Sequence, residues 1–206
     1  MITIIEHPLI AQKLTTMRQV DTPPHLFREL LEELSMLMAF EVTRNVPTRL
    51  IAVETPFGHG QFPVADTSFA IIPILRAGLG MLGGILKLIP TARVGHIGMW
   101  RDEKTLKPVE YYCKLPPDLG RRTIIIVDPM LATGNSVSAA IALVKKSGGR
   151  EIRYMSLLAT PQGIDRVTRE HPDVQIFTAA VDPELNDRGY IIPGLGDAGD
   201  RIFGTL

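Results

Sequence analysis

Thr123-Ile124-Ile125-Ile126-Val127-Asp128-Pro129-Met130-Leu131-Ala132-Thr133-Gly134-Asn135-Ser136 is the stretch from which the rest of the chain can be read. Its first five residues are apolar without alternation, the pattern of a strand covered on both faces, as in a parallel sheet between helices. The strand ends on an acid. A short loop follows, and Thr-Gly-Asn-Ser opens a helix predicted over residues 136–146. Backbone N–H groups at a helix start, with the hydroxyls of Thr133 and Ser136, can surround a phosphate. Asp128 is left at the strand end facing the same pocket, where a carboxylate is a strong acceptor for sugar hydroxyls. The plainer alternative is that Thr-Gly-Asn-Ser only caps a helix. The chain has no Gly-Lys-Ser/Thr and no Gly-x-Gly-x-x-Gly, so two other phosphate loops, the triphosphate and dinucleotide ones, are set aside.

Outward from this segment the pattern repeats. Residues 69–75 form an apolar run, followed by Arg76-Ala77-Gly78-Leu79-Gly80 and a helix-like stretch to Leu88, closed by Pro90. Further apolar strands are predicted at 94–100, 152–158 and 174–181, with a helix at 163–170. Such alternation implies an α/β fold, a mainly parallel sheet flanked by helices with its ligand site at the carboxyl ends of the strands. Nearer the amino end, Phe27, Leu30, Leu31, Leu34, Leu37, Met38 and Phe40 recur at helical steps, which predicts a helix over 25–44 after Pro23-Pro24. Residues 50–53 and 61–64 flank a Pro-Phe-Gly-His-Gly turn and read as a hairpin. No repeat or polar linker divides the chain, so one domain over 1–206 is expected.

Composition narrows the function. Twenty-two Lys and Arg balance 22 Asp and Glu, so no overall field holds nucleic acid or an anionic membrane, and an anionic ligand must be held locally. The longest weakly polar stretch, 70–90, is interrupted by Arg76, Lys87 and several glycines and is a poor spanning helix. Met1-Ile2-Thr3 leads to Glu6 and His7 without a cationic start and apolar signal core. A soluble cytoplasmic protein is expected. The lone Cys113 is expected to be buried and inert, and His7, His25, His59, His96 and His171 are too scattered for a metal site.

The loop at 128–136 resembles the 5-phosphoribosyl 1-diphosphate (PRPP) loop of type I phosphoribosyltransferases. The carboxyl end selects among them, because Tyr190-Ile191-Ile192-Pro193-Gly194-Leu195-Gly196-Asp197-Ala198-Gly199-Asp200-Arg201 is similar to the base-recognition segment of uracil phosphoribosyltransferases. His7-Pro8-Leu9, the helix from Phe27, Pro73-Ile74-Leu75-Arg76-Ala77-Gly78 and Gly98-Met99-Trp100-Arg101-Asp102 also resemble that family, in order and at fitting spacing.

That resemblance implies a type I phosphoribosyltransferase fold with a small hood built from the chain ends and a hairpin, and transfer of a phosphoribosyl group from PRPP to N1 of uracil. It implies that Asp128, Pro129, Met130, Leu131, Ala132, Thr133, Gly134, Asn135 and Ser136 hold the ribose and 5′-phosphate. Arg76 and Arg101 would bind pyrophosphate, a task suited to a planar guanidinium. Ile191, Gly196 and Ala198 would line uracil, with Asp197 reaching PRPP or its metal-bound pyrophosphate. Arg76, Arg101 and Asp128 are the implied catalytic set. Mg²⁺ would arrive with PRPP, residues 102–107 would close over it, and the assembly would be a homodimer or higher homo-oligomer. Some members of the family respond to GTP, and the sequence leaves that question open. Two departures stand out. Pro129 follows Asp128 where many type I enzymes have a second acid, a feature shared with the uracil subfamily, and Asn135 stands where a second glycine is usual. Asn tolerates a left-handed backbone better than most residues, so the loop is expected to survive.

Overall fold

The structure, a computed structural model, describes residues 1–101 and 108–205. The expected lid at 102–107 and the side chain of Arg101 lie outside the described residues. The amino end supplies β1 (Ile2–Ile4), α1 (Pro8–Arg18) and α2 (Pro24–Val42). Proline opens both helices, where a fixed φ and a missing N–H cost nothing. A hairpin follows, β2 (Thr48–Thr55) and β3 (Gly58–Ala65), then β4 (Phe69–Leu75), α3 (Leu79–Leu88), β5 (Arg93–Val94), β6 (His96–Arg101) and β7 (Pro108–Lys114). The second half runs β8 (Thr123–Val127), β9 (Met130–Leu131), α4 (Asn135–Lys146), β10 (Glu151–Ala159), α5 (Pro161–Glu170) and β11 (Gln175–Val181). Last come β12 (Glu184–Leu185), β13 (Ile191–Ile192) and α6 (Ala198–Phe203).

The large sheet has the order β1-β11-β10-β8-β4-β6-β7, with β5 beside β4 and β9 beside β10. Its pairings are parallel except at the edge, where β7 runs antiparallel to β6. Side chains alternate between its faces. Ile71, Ile125, Val127, Met155 and Leu157 pack with Leu14, Leu31, Leu34, Met81 and Ile202 of α1, α2, α3 and α6. Ile72, Ile124, Ile126 and Tyr154 pack instead with Val137, Ile141, Val144 and Val167 of α4 and α5. Each fully buried aliphatic side chain here is worth about 1.5–3 kcal/mol, which fixes the strand register and, with it, the edge where the loops converge.

Most expected elements stand within a few residues of their predicted bounds. The strand expected at 94–100 is interrupted at Gly95, yet Ala70 pairs Arg93 and Ile74 pairs Ile97, so the register on β4 continues across the break. β1 joins the large sheet beside β11, and the β2–β3 hairpin pairs only with itself. The cover over the sheet edge is therefore α1 with the carboxyl-terminal segment, tied together by Arg18 and Arg201. Cys113 is exposed on β7 rather than buried, because side chains on both faces of this strand are uncovered from Val109 to Lys114. Partial burial and the Glu110 carboxylate push its thiol up.

Candidate active site

The turn after β8 grows directly out of the sheet. Past β8, Asp128 still donates its N–H to the Met155 carbonyl at 3.2 Å, and the Pro129 carbonyl accepts from Leu157 and Leu158. Ala132 is then held by the Thr160 hydroxyl, which donates to its carbonyl at 2.7 Å. The chain turns at Gly134, with φ 79°, and a Cβ there would lie 3.0 Å from the Gly163 carbonyl. Both the left-handed backbone and the close approach to α5 require glycine. Asn135 is already the first residue of α4, so the conformational demand considered for position 135 falls on Gly134 instead. Asn135, Ser136 and Val137 of the first turn of α4 line the cavity beside Thr133, and the Asn135 N–H donates to Thr133 Oγ1 at 3.5 Å.

Opposite stands a wall of irregular backbone. β12 and β13 pair antiparallel, and the chain then turns through Gly194, with φ 59°, where a Cβ would fall on the carbonyl oxygen of Ile191. Asp197 caps α6 by accepting from the Asp200 N–H at 3.0 Å, and its other oxygen accepts from the Tyr190 hydroxyl at 3.3 Å. Between the two walls lies a cavity of about 210 Å³. Its lining includes Asp128, Met130, Ala132, Thr133, Gly134, Asn135 and Ser136 on one side, with Ile191, Gly196, Asp197 and Ala198 on the other.

Removal from water pushes the Asp128 carboxyl up to about 7; the Met130 N–H, 3.4 Å away, opposes the shift, and the charge of Asp197 adds to it. Beneath the turn, burial and the Asp128 charge push the Tyr154 phenol up, and its hydroxyl donates to the Asp128 carbonyl at 3.4 Å. Two acidic side chains thus line a cavity that also opens onto a helix start, an arrangement that suits a ligand bearing hydroxyls, phosphate and a cation. Among the described residues no three His, Cys, Asp or Glu side chains gather as a metal cage.

The structure separates the sequence-predicted residues into groups. Pro129 and Leu131 do not line the cavity: Pro129 is locked to β10 by its carbonyl, and Leu131 is buried in the core. The exposed Arg76 sits at the rim, its Nη2 3.1 Å from Asp200 Oδ1 and its guanidinium 5.7 Å from the Phe203 ring centre. Its neighbour Ala77 lines the cavity, and Arg101 ends β6. Ala77, Val137, Gly189, Tyr190 and Gly199 line it without having been singled out. Apart from Gly189, each adjoins a predicted residue in the sequence, and that was the available signal.

The chain matches the family described as "Uracil phosphoribosyltransferase" over residues 4–205. A protein of Symbiobacterium thermophilum named uracil phosphoribosyltransferase is 57% identical over 205 residues, covering 99% of this chain and 98% of the relative. One of the same name from Dictyoglomus thermophilum is 54% identical over 206 residues, covering 100% of each. Among solved structures, a protein of Aquifex aeolicus superposes with a TM-score of 0.94 at 38% identity, covering 98% of each chain. A hypoxanthine-guanine phosphoribosyltransferase of Bacillus anthracis superposes with a TM-score of 0.51 at 11% identity over 77% of this chain and 80% of that one, which speaks for the fold alone. The mainly parallel sheet, the family match over 4–205 and relatives 54–57% identical over nearly the full length agree, and the chain belongs to the uracil phosphoribosyltransferase family.

Proposed function

We propose that this chain is an enzyme of pyrimidine salvage that converts uracil and PRPP to UMP and pyrophosphate in the cavity between the two walls. The observation that carries this reading is that the turn at Thr133 and the glycine-rich tail line one cavity. In the reaction the N1–C1′ bond forms, the bond from C1′ to the pyrophosphate oxygen breaks, and the N1 proton is lost. Thr133, Gly134, Asn135 and Ser136 hold the 5′-phosphate, and Asp128 accepts from the ribose hydroxyls. Backbone groups of Ile191, Gly196 and Ala198 match uracil, whose two carbonyl acceptors flank the N3 donor. A base with a different pattern leaves buried polar groups unpaired, which supports rejection of cytosine by up to about 10⁴-fold. Holding both reactants in one geometry supplies much of the rate.

Arg76, at the rim, and Arg101, at the end of β6, are assigned to the departing pyrophosphate, whose charge grows as the bond breaks. The donor set fits Mg²⁺ brought in by PRPP, since Asp128 and Asp197 supply hard oxygens to the cavity and Mg²⁺ takes most of its ligands from phosphate and water. When bound, Mg²⁺ offsets the charge of the leaving group. Residues 102–107 are assigned to closure over PRPP.

The reading includes a homo-oligomer, supported by apolar Leu50, Phe57 and Phe62 exposed on the hairpin and Val109, Tyr111 and Tyr112 on β7. It also places the enzyme in the cytoplasm; no helix among the described residues is long and apolar enough to cross a membrane. Protein incubated with PRPP, Mg²⁺ and uracil should form UMP and pyrophosphate, with cytosine, orotate and hypoxanthine unreactive. Preference for another base, or no turnover, contradicts the reading. Adding GTP to the same assay answers whether it activates.

A further inference from the structure

The turn on the nucleobase side of the cavity is held from behind by an ion pair that does not itself line the cavity. Arg18 is the last residue of α1, and Asp182 follows β11, where its N–H donates to the Ala159 carbonyl at the end of β10 at 2.9 Å. Arg18 Nη1 and Nη2 donate to Asp182 Oδ2 and Oδ1 at 2.6 and 2.7 Å. The same Nη1 donates to the Gly194 carbonyl at 2.8 Å, and the Gly194 N–H donates back to Asp182 Oδ2 at 2.9 Å. One pair therefore fixes both backbone groups of the residue about which the turn folds. The next carbonyl, that of Leu195, accepts from Arg201 Nη1 at 2.8 Å, and Arg201 is itself held by the carbonyls of Met17 and Gln19.

We propose that Arg18 and Asp182 are positioning residues for nucleobase recognition: by holding Gly194 they set where Ile191, Gly196 and Ala198 present their backbone groups. The proposal rests on the assignment of that wall to uracil. Asp182 is 5% exposed, and a buried carboxylate persists only when its charge and lone pairs are matched. Burial alone pushes its carboxyl up, but the Arg18 fork and the Gly194 N–H outweigh burial and hold it below the usual carboxylate range. The Asp182 carboxyl thus stays ionised at neutral pH. A planar guanidinium can bridge the carboxylate and the Gly194 carbonyl at once, which a lysine cannot do. The phosphate turn is anchored separately, through Thr160, Gly163 and β10, so loss of the pair should act on one substrate.

The test is steady-state kinetics with uracil and PRPP varied separately, for Arg18→Met, Asp182→Asn, Arg18→Lys and the Arg18→Met/Asp182→Asn double variant. Loss of charge-assisted hydrogen bonds behind the turn should raise KM for uracil about 10- to 100-fold. KM for PRPP should stay within about twofold and discrimination against cytosine should relax. Arg18→Lys should recover part of the loss, and the double variant should be no worse than the more impaired single, as for residues that act as one unit. If Arg18→Met does not fold, Arg18→Lys and Asp182→Asn carry the same split. Equal rises in both KM values, or a lowered melting temperature with unchanged kinetics, would overturn the proposal. Wild-type protein that makes no UMP would instead overturn the functional reading itself.

Discussion

The two walls of the cavity are built by opposite means. In the wall that carries Thr133 a buried strand, β8, runs into a turn and a helix, so the cavity-lining groups are continuations of regular structure packed on both cores. In the wall that carries Gly196 there is almost no regular structure. Two-residue strands, a turn at Gly194 and the six-residue α6 are held by arginines that come from α1 and from α6 itself. A wall that is part of the sheet is rigid because the core is rigid, whereas a wall of turns is only as rigid as the side chains that grip its carbonyls. The first suits a phosphate, which any set of N–H groups at a helix start will hold. The second suits a flat heterocycle, which must be met by backbone at close range.

The comparison can be broken most severely at Asp128. Asp128→Ala removes the acceptor assigned to the ribose hydroxyls, and two charge-assisted hydrogen bonds at about 1.5–3 kcal/mol each predict a loss of about 10³-fold in kcat/KM with the fold retained. Near-normal kinetics would remove Asp128 from the site. Gly194→Ala comes next. It forces a left-handed alanine, at about 1–2 kcal/mol, and drives a methyl group onto the Ile191 carbonyl, so kcat/KM for uracil should fall about 100-fold with PRPP affinity little changed.

Gly134→Ala is the mirror experiment. The same left-handed penalty and a 3.0 Å approach to the Gly163 carbonyl should raise KM for PRPP about tenfold and leave that for uracil alone. If both glycine variants impair both substrates equally, the walls are not independent.

A subtler handle is pH. The folded carboxyl of Asp128 titrates near 7, raised from 3.8, so the folded ligand-free protein binds more protons than the unfolded chain between those values. Its contribution to stability is therefore undiminished below about pH 4, declines as pH rises and is fully lost above about 7. Asp128→Asn should melt several degrees above wild type at pH 8, with the gap narrowing toward pH 5; parallel melting curves would contradict the shifted titration. The smallest effect is expected from Asn135→Gly. Because Gly134 makes the turn, PRPP affinity should change by less than about twofold, and a large gain would show that Asn135 distorts the cradle.

What the sequence disclosed follows the same division. The wall at 128–136 was legible because it lies in one contiguous run, where periodicity, a strand end and a helix start announce one another. The wall at 190–199 was recognisable only by resemblance, since a run of Gly, Asp and Ile has no period. Its supports were not legible at all. Arg18 and Asp182 are 164 residues apart, and nothing local to either residue names the other. Helix α1 did carry a signal, with Ile10, Leu14 and Met17 at helical spacing behind Pro8, but its short length hid it. β1 was hidden too, because three residues acquire strand character only from pairing with β11.

The most direct test of the whole account is a crystal structure of the protein with UMP bound. The account expects the phosphate against Thr133, Gly134, Asn135 and Ser136, and the pyrimidine edge against the backbone of Ile191, Gly196 and Ala198. A nucleotide bound with its base or its phosphate outside that cavity would contradict it.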